Sequence, residues 1–188
     1  MSKFNIQATP INGLYILETK PHEDERGGFT RLFCAEELQS IIAIDIKQIN
    51  HSVTLKKGTA RGLHFQYAPD AEVKIIKCIK GGVYDVVVDI RKNSPTFLKK
   101  FCLELTAENH KMLCIPKGLA HGFQALQDNA ELIYMHDRVY TPGNEGALNL
   151  QDPLLNIDWP LELINISARD KAHRFLDKEF KGIEINEL

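Results

Sequence analysis

Side chains suited to proton transfer stand inside segments that otherwise resemble buried strands. His64 lies between Leu63 and Phe65, and Lys74 lies within the apolar run "EVKII". Removing a proton from a carbon acid needs a base that titrates near neutral pH, a carboxylate that orients it, a cation for the developing negative charge, and an acid. His64 fits the base, Asp170 is a candidate for the orienting carboxylate, and Lys74 supplies the cation.

Two tyrosines and two arginines extend this set. Tyr134 and Tyr140 are six residues apart in "YMHDRVY", so on one strand they would share a face. A phenol can donate a proton to an enolate, although strand tyrosines are more commonly packed aromatics. Arg26 and Arg61 are candidates for phosphate binding because a guanidinium matches phosphate oxygens, and each would otherwise form a surface salt bridge.

The histidine spacing argues against a metal site. A small β-barrel that binds a metal often uses a His-x-His pair, and here Gln66 occupies the second position after His64. His51, His64 and His121 could meet in space, but no spacing requires it. We therefore expect no metal, and His64 remains either a general base or a packed core histidine.

Composition excludes several classes of protein. The chain of 188 residues is 44% hydrophobic and 26% charged, which predicts one globular domain over residues 1–188. The net charge of −2 provides no basic surface for nucleic acid, and no apolar run is long enough to span a membrane. The four cysteines lack zinc-ligand spacing and the N-terminal residues lack a signal-peptide pattern, so we expect free thiols and a cytoplasmic protein.

Short segments of alternating polarity predict an all-β fold. The segment "IKQINHSVT" at 46–54 places Gln48 and Asn50 on one face. Further strands are predicted at 61–66, 72–80, 82–91, 99–105, 110–116, 122–126 and 131–140. A polar loop is predicted at 21–28, and a helix is predicted at 35–43 because acidic residues occupy its first turn. Many short strands separated by such turns indicate a sandwich or barrel.

Polar residues on these strands indicate a ligand cavity. Six of them cannot all be buried without partners: Gln48, Asn50, Arg61, His64, Lys74 and His121. A β-barrel whose mouth holds a small ligand would give them partners. The polar residues therefore predict a site for a small ligand.

Eight segments, taken in order, resemble one family. They are "DERGGF", "QINHSV", "GTARGLHFQ", "VKIIKCIKGGVYDVVVDIRKNSPTF", "IPKGLAHGFQAL", the Tyr134–Tyr140 pair, "DPLLNIDWP" and "SARDK". From about residue 4 to about residue 177 the sequence is similar to the dTDP-4-dehydrorhamnose 3,5-epimerases. The resemblance implies a cupin-type jelly-roll sandwich or barrel with a few short helices. It also implies an isomerase that inverts C3 and C5 of a nucleotide-linked 4-keto-6-deoxyhexose through an enolate, without metal or redox cofactor.

The same resemblance implies a role for each matching residue. His64 would be the base, Asp170 its partner, and Lys74 the group that stabilises the enolate oxygen. Tyr134 would return a proton from the opposite face. The substrate would be held by Arg26, Phe29, Gln48, Asn50, Arg61, His121 and Tyr140, with Arg61 at the diphosphate and Phe29 against the nucleoside. A homodimer is implied as well, in which the partner subunit supplies part of the nucleotide site near "DERGGF".

Three positions depart from the family pattern. Arg31 stands two residues after Phe29, where the family often has a glutamate. Met135 and Val139 replace a lysine and a tyrosine that are common beside the two tyrosine positions. These departures leave two alternatives open: an epimerase acting at C3 or C5 alone, and one acting on a CDP- or GDP-linked sugar. A 3,4-ketoisomerase, a metal-dependent cupin enzyme and a non-catalytic sugar-nucleotide-binding module are the other rivals.

Overall fold

Two β-sheets packed face to face form the frame of the molecule in the computed structural model, which describes residues 3–185. The strands are β1 (Phe4–Ala8), β2 (Tyr15–Thr19), β3 (His22–Asp24), β4 (Gly27–Phe29), β5 (Gln48–Thr54), β6 (Ala60–Gln66), β7 (Lys74–Lys80), β8 (Gly82–Asp89), β9 (Lys100–Thr106), β10 (Lys111–Ile115), β11 (Leu119–Ala125), β12 (Ala130–His136) and β13 (Glu145–Ala147). The helices are α1 (Ala35–Leu38) and α2 (Ala168–Ala172).

The order of the strands confirms the expected fold class. One sheet has six strands in the order β1-β2-β10-β7-β12-β5, and the other has five in the order β13-β6-β11-β8-β9. The pairings between these strands are antiparallel. The short strands β3 and β4 form a separate hairpin. This architecture is a cupin-type jelly roll.

Apolar clusters hold the two sheets together and cover their outer faces. Strand β8 is a run of valines because both of its faces are buried. Val83 and Val87 belong to the cluster between the sheets, whereas Val86 and Val88 pack under the C-terminal segment together with Ile183. The outer face of the six-stranded sheet is covered in part by apolar residues of 32–46.

The C-terminal segment brings α2 to the five-stranded sheet. Thr59 forms a parallel bridge with Ile164, and the carbonyl oxygen of Ile164 accepts a hydrogen bond from the Ala60 amide at 3.4 Å. Helix α2 therefore begins four residues beyond a point that is fixed to the start of β6. Within residues 3–185, no helix combines the length and the apolar character that crossing a bilayer would require.

Most predicted strands differ from the structure by one to three residues at an end, and three predicted elements differ in a way that has a physical cause. The helix predicted at 35–43 ends at Leu38, where the chain turns and the isoleucines that follow pack on the sheet. The strand predicted at 131–140 ends at His136, because its neighbours β5 and β7 start opposite that residue and offer nothing further to pair with. The segment 21–28, predicted as a loop, contributes β3 and the first two residues of β4.

Candidate active site

A cavity of about 780 Å³ opens between the two sheets. Eight of the residues singled out in the sequence line it: Asn50, Arg61, His64, Lys74, His121, Tyr134, Tyr140 and Asp170. They come from β5, β6, β7, β11 and β12, from the loop after β12, and from α2. Five of the six polar strand residues predicted to face a cavity therefore share one concave surface, and Gln48 is the exception.

An irregularity in β6 places Arg61 and His64 on the same wall. Residues three apart on a regular strand point to opposite faces. Here Arg61 pairs with Phe123 and His64 with His121, so three steps along β6 match two along β11. The extra residue is a β-bulge, which re-aims one side chain.

Glycines make this bulge possible. The backbones of Gly62 and Gly122 pass so close that a Cβ on Gly62 would lie 2.4 Å from the Gly122 Cα. Gly62 also has φ +126°, in the region that favours glycine.

His64 and Asp170 form a hydrogen-bonded pair. The distance from His64 Nε2 to Asp170 Oδ1 is 2.8 Å. Burial alone raises the pKa of Asp170, but its hydrogen bonds with His64, the Ser167 hydroxyl and the Gly62 amide outweigh burial and lower that pKa. Because an ionised carboxylate only accepts hydrogen bonds, we assign the proton of this pair to Nε2 of His64. Nδ1 then carries the lone pair and is the basic nitrogen.

Lys74 lies on the opposite sheet, in β7, with its side chain only 9% exposed. Its Nζ is 2.9 Å from Oε1 of Glu72 and 3.4 Å from the carbonyl oxygen of His64. Lys74 thus places a nearly buried cation beside the base. A cation in this position can stabilise negative charge that develops on a bound ligand.

Tyr134 lies on β12, in the sheet that faces His64. Burial and the charge of Asp85 raise the pKa of Tyr134, and they outweigh the opposing effects of Arg61 and the Ser52 hydroxyl. The phenol therefore stays protonated at neutral pH. A base and a proton donor consequently occupy opposite walls of one cavity.

A second histidine pair lies deeper in the cavity wall. His121 Nε2 is 2.8 Å from Oδ2 of Asp85, and both side chains are buried. The ring of His121 meets that of Tyr134 edge to face, with centroids 6.2 Å apart. These contacts fix the orientation of both rings.

Tyr140 reaches the cavity by a different route from the one predicted. It lies beyond the end of β12, so the argument that it shares a strand face with Tyr134 was wrong, although both residues line the cavity. Its hydroxyl donates to Oε1 of Glu145 at 2.8 Å, and Arg169 forms a two-pronged ion pair with the same carboxylate. The hydrogen bond to Glu145 is the main cause of a raised pKa for Tyr140.

Three of the predicted contact residues lie away from the cavity wall. Arg26 and Phe29 lie on the β3–β4 hairpin, where Arg26 pairs with Asp24 and the Phe29 side chain is exposed. The amide oxygen of Gln48 accepts a hydrogen bond from the Tyr140 backbone at 3.0 Å, so it supports the loop that carries that tyrosine.

The three histidines considered as metal ligands do not meet. His51 points to the outer face of the six-stranded sheet, where its Nε2 is 2.9 Å from Glu131. His64 and His121 are paired across β6 and β11. Among residues 3–185, no three histidine, cysteine, aspartate or glutamate side chains form a group that could hold a metal ion.

Sequence reasoning missed five charged or imidazole groups of the site: Glu72, Asp85, His136, Glu145 and Arg169. Some left a signal. Asp85 interrupts the valine run of β8, and Glu72 stands two residues before Lys74, which is the same-face spacing. Glu145 and Arg169 left none, because only the fold brings them together.

Comparison with known proteins gives one consistent family. The family model for dTDP-4-dehydrorhamnose 3,5-epimerase matches residues 8–178. A relative of that name from Salmonella typhimurium is 41% identical over 173 residues, which cover 90% of this chain and 94% of the relative.

Solved structures agree with this result. A 3,5-epimerase from Legionella pneumophila, in complex with dTDP-4-keto-L-rhamnose, is similar with a TM-score of 0.89 and 37% identity, over 97% of this chain and 99% of that one. A 3′-monoepimerase from Streptomyces bikiniensis, in complex with dTDP-quinovose, is also similar, with a TM-score of 0.83 and 32% identity. The match covers 89% of this chain and 85% of that one.

The close approach at Gly62 predicts that replacing this glycine disrupts the site. In Gly62→Ala the new Cβ meets the backbone of Gly122, so the bulge must open and turn His64 away from Asp170. We expect destabilisation of about 2 kcal/mol or more, measured by urea unfolding, and loss of activity. Gly143→Ala is the control, because Gly143 also has a positive φ but a Cβ there meets nothing within 4 Å. Equal effects of the two substitutions would contradict this account of the bulge.

Proposed function

The chain belongs to the dTDP-4-dehydrorhamnose 3,5-epimerase family, and from this premise we propose how its own side chains carry out the reaction. It is an isomerase that inverts C3 and C5 of a dTDP-linked 4-keto-6-deoxyhexose. The observation that carries the assignment of roles is the placement of the His64–Asp170 pair and of Tyr134 on opposite walls of one cavity, with Lys74 beside the base.

The chemistry begins with a proton on a carbon next to the C4 ketone. Nδ1 of His64 removes this proton, and the electron pair of the C–H bond moves to form an enolate whose charge rests on O4. Asp170 balances the imidazolium that forms. The ammonium group of Lys74 stabilises the charge on O4, which is most effective because the side chain is nearly buried.

Inversion requires a proton from the other face of the planar enolate. Tyr134 is protonated at neutral pH and lies on the wall opposite His64, so its hydroxyl proton is transferred to the carbon. Solvent then restores the proton of Tyr134 and removes the one held by His64. The same two groups act at C3 and at C5, one carbon after the other.

The remaining residues bind the substrate. Arg61 and Asn50 meet the nucleotide diphosphate, while His121 and Tyr140 contact the substrate from the cavity wall. Gln48 acts at the mouth through the Tyr140 loop.

Arg31, which departs from the family pattern, is paired with Glu37 of its own chain. Its charge is therefore already compensated within the subunit. This pairing supports a thymidine nucleotide, because Arg31 then adds no uncompensated positive charge.

We infer a homodimer from the two predicted contact residues that lie outside the cavity. The residue Phe29 is 74% exposed and the side chain of Arg26 is 83% exposed, both on the β3–β4 hairpin. An aromatic ring and a guanidinium are groups that suit a nucleoside and a phosphate. We propose that this hairpin enters the nucleotide end of the cavity of a second subunit.

We also propose a single jelly-roll domain over residues 1–188 and a cytoplasmic location. Phe4 and Ile183 pack in clusters on the outer faces of the two sheets, which supports one domain. The four cysteines are free thiols, which suits a reducing compartment.

Replacing the base tests the assignment of His64. His64→Asn should lower solvent-proton exchange at both C3 and C5 by about 1,000-fold or more, because no other group performs the abstraction. Exchange is measured by NMR of the substrate in D₂O, and dTDP binding reports that the variant is folded. The control is His110→Asn in the turn between β9 and β10. Exchange at the wild-type rate in His64→Asn would remove His64 as the base.

Replacing Tyr134 separates proton abstraction from inversion. In Tyr134→Phe, exchange by His64 on its own face should continue within about threefold, whereas inversion should fall by about 100-fold because the opposite-face donor is gone. Tyr84→Phe, on the outer side of the other sheet beside Trp159, is the control. Equal loss of exchange and inversion would count against the role proposed for Tyr134.

Mixing two inactive variants tests the shared site. When His64→Asn is mixed with an Arg26→Ala, Phe29→Ala variant, one site in each heterodimer combines an intact cavity with an intact hairpin. Inversion should recover to about a quarter of the wild-type rate, since half of the dimers are mixed. Mixing His64→Asn with Tyr134→Phe should recover nothing, because both changes affect the cavity. Absence of recovery in the first mixture would contradict a site built from two subunits.

A further inference from the structure

A second carboxylate in the cavity wall connects Lys74 to a third histidine. Glu72 is 2.9 Å from Lys74 Nζ through Oε1 and 2.8 Å from His136 Nδ1 through Oε2. The side chains of Lys74 and Glu72 are 9% exposed and that of His136 is 10% exposed. All three residues line the cavity. The reaction as derived above uses Lys74 alone.

The hydrogen bonds to Glu72 fix the state of the groups around it. Burial raises the pKa of Glu72, but the hydrogen bond from His136 and the charge of Lys74 outweigh burial and lower that pKa. Glu72 is therefore an ionised acceptor, so we assign a proton to Nδ1 of His136. The ring of His136 stacks on Tyr134, with centroids 6.1 Å apart and planes inclined by 14°. The His136 ring is thus held by contacts on two sides.

The contacts of Lys74 leave one direction open. An ammonium group has three N–H donors. One points to Glu72 at 2.9 Å and one towards the carbonyl oxygen of His64 at 3.4 Å. With these two acceptors among residues 3–185, the third N–H is left for the cavity. A lysine without such contacts would rotate freely about its last bonds.

We propose that Glu72 is a positioning residue for Lys74, and that His136 acts by holding Glu72 in place. This inference rests on the proposed function, because it concerns the cation that stabilises the enolate oxygen. Glu72 does two things. It compensates the charge of a nearly buried lysine, and it aims the free N–H of that lysine at the position of O4. His136 does not need to contact the reacting atoms.

The effect of Glu72 should disappear when Lys74 is absent. Glu72→Ala should slow solvent-deuterium exchange at C3 and C5 by about 10- to 100-fold, while dTDP affinity stays within about twofold. Glu72→Gln should recover most of the rate, because its amide oxygen can still accept from Lys74. In a Lys74→Met background, adding Glu72→Ala should cause no further loss.

Two further variants serve as controls for this experiment. Glu131 bridges Lys80 and His51 at 2.9 Å each on the outer face, so Glu131→Ala removes an equivalent arrangement away from the cavity and should leave exchange unchanged. His136→Phe keeps a ring beside Tyr134 but removes the hydrogen bond to Glu72 and the longer 3.5 Å contact of Nε2 with the Asn50 amide. It should slow exchange several-fold, and it should add nothing to Glu72→Ala.

The outcomes separate the two proposals. If the wild-type protein exchanges no deuterium, the proposed function fails and this inference fails with it. If the wild type exchanges normally and Glu72→Ala matches it, only the positioning role is overturned. Losses that multiply between Glu72→Ala and Lys74→Met would also overturn it, because Glu72 would then act independently of the lysine. Should Glu72→Ala not fold, His136→Phe provides the same cycle, because its effect should also disappear in the Lys74→Met background.

Discussion

The site depends on the hydrogen bond between His64 and Asp170. The two residues are 106 positions apart, so the C-terminal segment must dock against β6 before the bond can form. The same hydrogen bond needs the bulge at Gly62. The bulge turns the His64 side chain onto the cavity wall that also carries Arg61. Asp170 also accepts from the Gly62 amide, so the bulge and the carboxylate hold each other. The orientation of the base His64 therefore depends on contacts with residues near the C-terminal end of the chain.

Pairing of charges explains how a jelly roll tolerates a polar cavity. Three imidazoles in the wall each have a carboxylate partner: His64 with Asp170, His121 with Asp85, and His136 with Glu72. Buried charges and imidazoles without partners would cost free energy, and pairing avoids that cost. Pairing also fixes which ring nitrogen carries the proton. The cavity is therefore organised before any substrate enters.

The sequence predicted the fold class and most of the cavity, and it failed where distant segments meet. Alternation in 46–54 correctly placed Asn50 on the inner face, because period two is a local property of a strand. The local pattern could not predict that β12 ends at His136, because that end depends on where the neighbouring strands β5 and β7 begin. Nor could it pair Glu145 with Arg169, which only the packing of α2 brings together. The roles assigned to His64, Lys74, Tyr134 and Asp170 came from the chemistry of their side chains together with a family resemblance, and they stay predictions.

The central claim is that one base and one opposite-face acid act at both carbons beside the ketone. The most direct measurement is NMR of dTDP-4-keto-6-deoxyglucose incubated in D₂O with the wild-type protein, counting the deuterons gained at C3 and at C5. The account predicts deuterium at both carbons together with inverted configuration at both. Deuterium at one carbon alone would contradict the account in favour of a mono-epimerase. Deuterium at neither carbon would contradict the assignment of this cavity as an epimerase site for a dTDP-linked sugar.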